Sequence, residues 1–423
     1  MKQVKRVLVC VMTGAVIAFI VYTFSQTLLY YPFLVLQSVV DDSHFTRQFA
    51  MQEASGIRDD RIVIVDIDDM SLRRLGNRMT LWPRQYFADV IGTLSRDGAR
   101  LIFLDILFTE GGRPAGNEAF ADSVRRAGNV ISGYYVNLEW RSLYRRPGNS
   151  VRNERFMRLP NGDVPEQVQF LESDRVTFSY RELVRASANI GYANYQPDFD
   201  GVLRHIPVFL EYQQWVIPSA SLQVWLQLEG RHYSEADILP DAVVIGDMRI
   251  PTDRHAFMRI NYTGLEDVYR HVSFADVLRG MVEPGTFTGK IVLIGSSSAR
   301  LGDIKRIPGK RQIPGVEVHA AALSTMLSQN YLRSLPGNVI FLVNLVLGMC
   351  TAILFRYVNP LRAGLLSAIL VPLLLYVTAM FCFSLFDLLL NTTIPTVTIL
   401  VTYVFVAFYL YCRSNLSDEQ CTV

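Results

Sequence analysis

Four stretches without a charged side chain constrain this chain more than any other feature. Residues 7–31, 337–355, 363–386 and 388–412 contain no Asp, Glu, Lys or Arg. As a helix rising 1.5 Å per residue, each covers the roughly 30 Å of a bilayer's hydrocarbon. Reading them as buried helices of a soluble protein would pack three such runs into the end of the chain with only short polar connectors between them. Four transmembrane helices are therefore expected. Lys2, Lys5 and Arg6 precede the first run, Arg356 and Arg362 join the second to the third, and Arg413 follows the fourth, whereas Asp387 alone marks the remaining turn. Basic residues favour the cytoplasmic side. This predicts cytoplasmic termini and a domain over residues 32–336 outside a bacterial inner membrane, in the periplasm. Residues 1–31 then hold the cytoplasmic N-terminus and first helix, 337–412 the other three helices, and 413–423 a short cytoplasmic tail. The first run is expected to be an uncleaved anchor, since its apolar core is long and no clean small-x-small cleavage site follows it.

All five cysteines, Cys10, Cys350, Cys382, Cys412 and Cys421, fall in the apolar runs or the tail. A disulfide framework is thereby excluded from the exported domain, whose stability must come from its core. A net charge of +2, with no long basic run and no zinc-finger spacing, gives no support to nucleic acid as a partner.

Within that domain, residues 61–110 read as strand, loop, helix, strand. The apolar runs 62–67 and 101–107 each end at acidic residues. Between them Phe87, Val90, Ile91 and Leu94 recur at helical spacing. The pattern predicts a parallel crossover unit with a helix on the sheet. Further strands are expected near residues 130–136, 187–195, 202–211, 242–245, 257–261 and 290–294, and helices near 118–127, 218–228, 274–278 and 316–329. The fold class is α/β: a mixed, largely parallel sheet with flanking helices, joined to four membrane helices. Residues 30–40 are expected to continue the first helix as a stalk above the membrane, with an amphipathic helix over 41–58.

Candidate recognition residues cluster where open α/β sheets place their sites, at the carboxyl ends of strands. Asp66, Asp68, Asp69 and Asp105 offer oxygen ligands for a cation or a carboxylate pair for hydrolysis. Their plainer roles are caps and salt bridges, with Arg84 as a partner. Gly295 and Ser296 to Ser298 follow a strand and present backbone N–H groups, yet GxGxxG, a Walker lysine and GxSxG are all missing. Ser296 to Ser298, taken with Glu317 or Asp303 and with His319, invite comparison with a serine-hydrolase triad, but Glu317 and His319 stand two apart on a helix and do not share a face. Asp200 and Arg204 frame an Asp-Gly turn beside His205. The six histidines show no metal-ligand spacing, and neither a metal nor a cofactor is expected. Arginines between Arg141 and Arg158 read as a solvated surface. Asn344, Asn391 and Thr396 are candidates for holding membrane helices together.

Seven segments occur in a telling order: IVIVDIDD (62–69), SLRRLG (71–76), WPR (82–84), GARLIFLDILF (98–108), ANYQPDFDGVLRHIP (193–207), GKIVLIGSSSARLGD (289–303) and PGVEVHAAAL (314–323). Together they resemble the CHASE type-two family of extracytoplasmic sensory domains, which also carry one membrane helix before the domain and three after it. The resemblance implies a receptor that detects an envelope signal and passes it to a cytoplasmic cyclase or kinase. Only about a dozen residues follow Cys412, so either the sequence is that of a shortened receptor or output comes from a protein partner in the membrane or cytoplasm, the leading expectation, with a homodimer as a further one. The alternatives are a structural subunit of an envelope complex and a periplasmic hydrolase. The leading expectation is not an enzyme, and the resemblance does not identify the envelope ligand.

Overall fold

Runs of β-branched residues that are apolar on both faces make strands that must be covered on both sides, and the sheet meets that demand. A computed structural model of the chain describes residues 2–56, 58–109, 114–137, 165, 167–213, 215–264, 268–357, 364 and 369–420. These fall into two compact units, residues 46–331 and residues 1–45 with 332–423. The arginine-rich stretch and most of the expected glycine loop after Glu110 lie outside the described residues.

The first unit is built on strands β1 (Ile62–Asp66), β2 (Leu101–Leu104), β3 (Val130–Val136), β4 (Val176–Thr177), β5 (Asn189–Tyr192), β6 (Arg270–Ser273) and β7 (Ile291–Gly295). Their spatial order is β6-β1-β7-β2-β3-β5, every neighbour parallel, while β4 pairs antiparallel with β3. The expected parallel relation of β1 and β2 holds, with one difference. β7 lies between them, pairing Val65 with its own Ile294 on one side and Leu104 with the same residue on the other.

The helices of this unit are α3 (Asp69–Leu75), α4 (Arg84–Arg96), α5 (Pro114–Ala127), α6 (Arg181–Ala186), α7 (Ala220–Leu228), α8 (Phe274–Leu278) and α9 (Gly315–Ser328). Val63 and Val65 of β1, with Ile67 just beyond its end, share a core with Phe87, Val90, Ile91 and Leu94 of α4 and Phe274 of α8. The opposite face carries α7 and α9, and glycines admit both at close range. A Cβ on Gly295 would stand 2.6 Å from that of Val316 on α9, and one on Gly191 would stand 2.5 Å from Ala220 Cα on α7. Smaller antiparallel pieces, such as residues 236–251 and 304–314, decorate this three-layer frame.

The second unit contains α1 (Lys2–Gln26), the first part of α2 (Tyr30–Ser55), α10 (Gly337–Tyr357), α11 (Val371–Phe386) and α12 (Thr393–Gln420). Two stretches, Val7–Gln26 and Gly337–Leu354, are long and apolar enough to cross a membrane. Val371–Phe386 and the apolar part of α12 are shorter. Helices α1 and α10 cross through small residues: a side chain on Gly14 would run into the backbone of Gly348, and one on Gly348 into Ala18. Asn344 Nδ2 donates to Ala18 O at 2.9 Å across the same contact, the helix-joining role expected of it. Asn391 acts locally, its Oδ1 accepting from Ile394 N at the start of α12.

Where a stalk followed by a separate amphipathic helix was expected, α2 is one helix. Its residues 30–45 pack among the apolar helices. Phe33 sits with Ile17, Val21 and Ile394, and Gln37 Oε1 accepts from the backbone N–H groups of Thr392 and Thr393. His44 stacks on Phe383 with ring centroids 5.5 Å apart.

Candidate functional site

The carboxyl ends of β1, β7 and β2 bring most of the expected acidic residues to one rim of the sheet, where α9 divides them into two groups. On the β1 side, Asp66 Oδ1 accepts from Ser297 N at 2.8 Å, and its Oδ2 lies 3.0 Å from His271 Nδ1. The other ring nitrogen of His271 is 3.4 Å from Glu317 Oε1. An imidazole between two carboxylates is favoured in its charged form. Burial pulls the His271 pKa down, but hydrogen bonding and attraction from Asp66 and Glu317 outweigh it and carry the pKa up to about 9. At neutral pH this trio is a charged clamp joining β1, the edge strand β6 and α9.

The neighbouring loop is stapled to the same strand end. Ser296 Oγ donates to Ile67 O at 2.8 Å, and Ser298 Oγ to Asp69 Oδ1 at 2.5 Å. Asp68 caps α3, accepting from Ser71 N at 2.7 Å, and it also accepts from Ser273 Oγ at 3.1 Å. An acidic residue between strand and helix satisfies one of the helix's orphan N–H groups.

On the β2 side, His319 Nε2 lies 2.7 Å from Ala193 O and 3.5 Å from Asp105 Oδ1. Both neighbours are acceptors, so this nitrogen carries the proton. Its Nδ1 faces the Tyr195 hydroxyl at 2.6 Å, and that hydroxyl is 2.9 Å from Ser221 Oγ. Burial raises the Asp105 pKa and nearby Asp303 adds to this, while His319 and Lys305 work in the opposite direction. Ser221 is 2% exposed and His319 3%, so this carboxylate–imidazole–hydroxyl chain is an internal cross-link between sheet, α7 and α9. Asp303 pairs with Lys305 at 2.9 Å and rests against Gly315 at the start of α9, where negative charge meets the positive end of the helix dipole.

Glu317 and His319 thus diverge, as their spacing required, one to each cluster. Asp200 and Arg204 are organised separately. The Arg204 guanidinium, 6% exposed, binds Asp200 through both terminal nitrogens at 3.0 and 2.8 Å and Asp198 at 2.9 Å. Although burial works against it, hydrogen bonding from Arg204 holds Asp200 below the usual carboxylate range, and His205 together with Arg204 does the same for Asp198. Arg84 does not pair with the strand-end aspartates. Its guanidinium lies 4.7 Å over the Phe108 ring and reaches Thr109 O at 3.4 Å, because its place at the start of α4 aims it along the outer face of the sheet's core.

Three residues of this rim escaped sequence reasoning. His271 lies on β6, an edge strand of sequence RHVS whose polar composition hides it. Tyr195 and Ser221 meet His319 only through the fold. A histidine followed by a β-branched residue and a helix start was the one local hint of β6.

A family model for the CHASE2 domain matches residues 14–354, which takes in the second half of α1, the whole α/β unit and most of α10. The chain belongs to the CHASE2 family, a family of sensory domains. No curated protein and no solved structure gives a match.

Proposed function

We propose that the chain is an inner-membrane sensory protein whose α/β unit lies outside the cytoplasm and whose output passes through a protein partner. The observation that carries this is the family match, which runs without interruption from an apolar helix through the α/β unit into a second apolar helix. The flanking charges support cytoplasmic termini, and the charge-free stretches of α11 and α12 support two further spans, for four in all. A rearrangement at the rim has covalent routes to the membrane helices, forward from α9 to α10 and backward from β1 into α2. We assign the rim no catalytic step.

A scaffold role is the second reading, and a specific observation favours it. Asp66, Asp68 and Asp69 already bond to Ser297, Ser71 and Ser298, as architectural residues do. Crosslinking in intact cells followed by purification in mild detergent tests the sensory reading against it. A receptor yields a partner bearing a cyclase, kinase or other output domain. A stable multisubunit particle of envelope proteins without such a domain refutes signalling and supports the scaffold.

A further inference from the structure

The uncharged N-terminal run does not end where α1 does. From Val7 to Val40 no residue is charged, and α1 takes only Val7–Gln26 of this stretch, already about 30 Å of helix. The remainder turns at residues 27–29 and enters α2, where Pro32 stands in the first turn, a position that tolerates proline.

One side of this part of α2 is buried by Phe33, Ser38, Asp41 and His44, which face the other apolar helices of the unit. The opposite side is an apolar stripe open to the surroundings: Tyr31 at 67%, Val35 at 42%, Leu36 at 53% and Val39 at 64% exposure. Their spacing is that of one helix face. The stripe stops at Asp41 and Asp42; the next exposed residues of the helix are Thr46 and Arg47, with Ala50 and Met51 beyond them.

We propose that residues 30–40 lie in the outer interface of the bilayer, with Leu36 and Val39 against lipid acyl chains. The occupant is lipid because the stripe continues an uncharged run from a membrane-length helix. Its buried side is also seated on Ile17, Val21 and Ile394, residues of the apolar helices themselves. Tyr30 and Tyr31 at the entry suit the headgroup layer, where amphipathic rings collect. This part of α2 is then a membrane element and no stalk, and bilayer properties act directly on a helix that continues unbroken into the sensory unit.

The proposal rests on the membrane reading above, and the test separates the two. The four native tryptophans all lie between residues 46 and 331. Leu36→Trp, Val39→Trp, Phe19→Trp on α1 and Leu81→Trp on the α/β unit are each placed in the full chain. Each variant is reconstituted into phosphatidylcholine vesicles with or without bromine on the acyl chains. An interfacial helix buries its apolar face about 5–10 Å below the headgroups, so the emission added at 36 and 39 is expected to fall by about half or more, as at 19. The emission added at 81 is expected to stay unchanged. Quenching at 19 with none at 36 and 39 overturns the proposal alone, and a second copy of the chain covering the stripe gives this same result. No quenching at 19 overturns the membrane reading and the proposal with it.

Discussion

Replacing His271 by Gln removes the charge from the clamp while keeping a polar side chain of similar reach. In the folded protein Asp66 and Glu317 hold this histidine protonated up to a pKa of about 9, against 6.5 for the free side chain. A shift of that size corresponds to about 3 kcal/mol at 1.36 kcal/mol per unit. The side chain is 32% exposed, and solvent screening reduces the expectation to on the order of 1–2 kcal/mol. Because the folded pKa is raised, the contribution is fully present below about pH 6.5 and is lost as pH rises through about 9. Denaturant titrations of the full-length wild type and H271Q in the same detergent, at a series of pH values from 6 to 10, measure it. The wild type is expected to be the more stable at pH 6, with the gap closing toward pH 10. A gap that is constant with pH, or that widens as pH rises, refutes the charged clamp.

Three further substitutions test the packing. Gly295→Ala forces a Cβ against Val316, a stiff β-branched side chain at the start of α9, and is expected to cost about 1–3 kcal/mol in denaturant titration. Gly92→Ala, inside α4, meets only the movable Arg96 guanidinium at 3.4 Å and is expected to stabilise by about 0.5–1 kcal/mol. Arg204→Ala strands Asp198 and Asp200 and is expected to cost about 3 kcal/mol near neutral pH, less as acid protonates the two carboxylates, with Arg204→Lys intermediate. In the helical unit, Gly348→Val wedges α1 from α10 and is expected to lower thermal stability in detergent more than Asn344→Ala. The latter loses a single hydrogen bond, worth about 0.6 kcal/mol in such settings.

Strong local signals were legible and tertiary choices were not. Ile62 to Asp66 and Leu101 to Leu104 announce buried parallel strands because both faces must be apolar. Phe87, Val90, Ile91 and Leu94 announce the helix that covers them, and Asp68 reads as a cap because a strand runs straight into a helix there. Nothing in residues 61–110 reveals that β7 inserts between β1 and β2, since that neighbour comes from almost two hundred residues later. Edge strand β6 is exposed at Arg270 and His271, so it lacks the apolar alternation that marks a strand, and the histidine of the clamp went unnoticed with it. Tyr195 and His319 meet across 124 positions. The apolar face of α2 was visible as composition, but its burial on only one side is a property of packing.

The proposed topology puts the α/β unit outside the inner membrane and the tail in the cytoplasm, and the cysteine distribution allows a direct measurement. The wild type has no cysteine between Cys10 and Cys350, and Leu81 on the α/β unit is 73% exposed. A membrane-impermeant maleimide applied to cells with a permeabilised outer membrane and intact inner membrane should label Leu81→Cys and leave the wild type unlabelled. Cys421 should become reactive only after the inner membrane is opened. Labelling of Cys421 in cells with an intact inner membrane, with Leu81→Cys protected, would contradict the account.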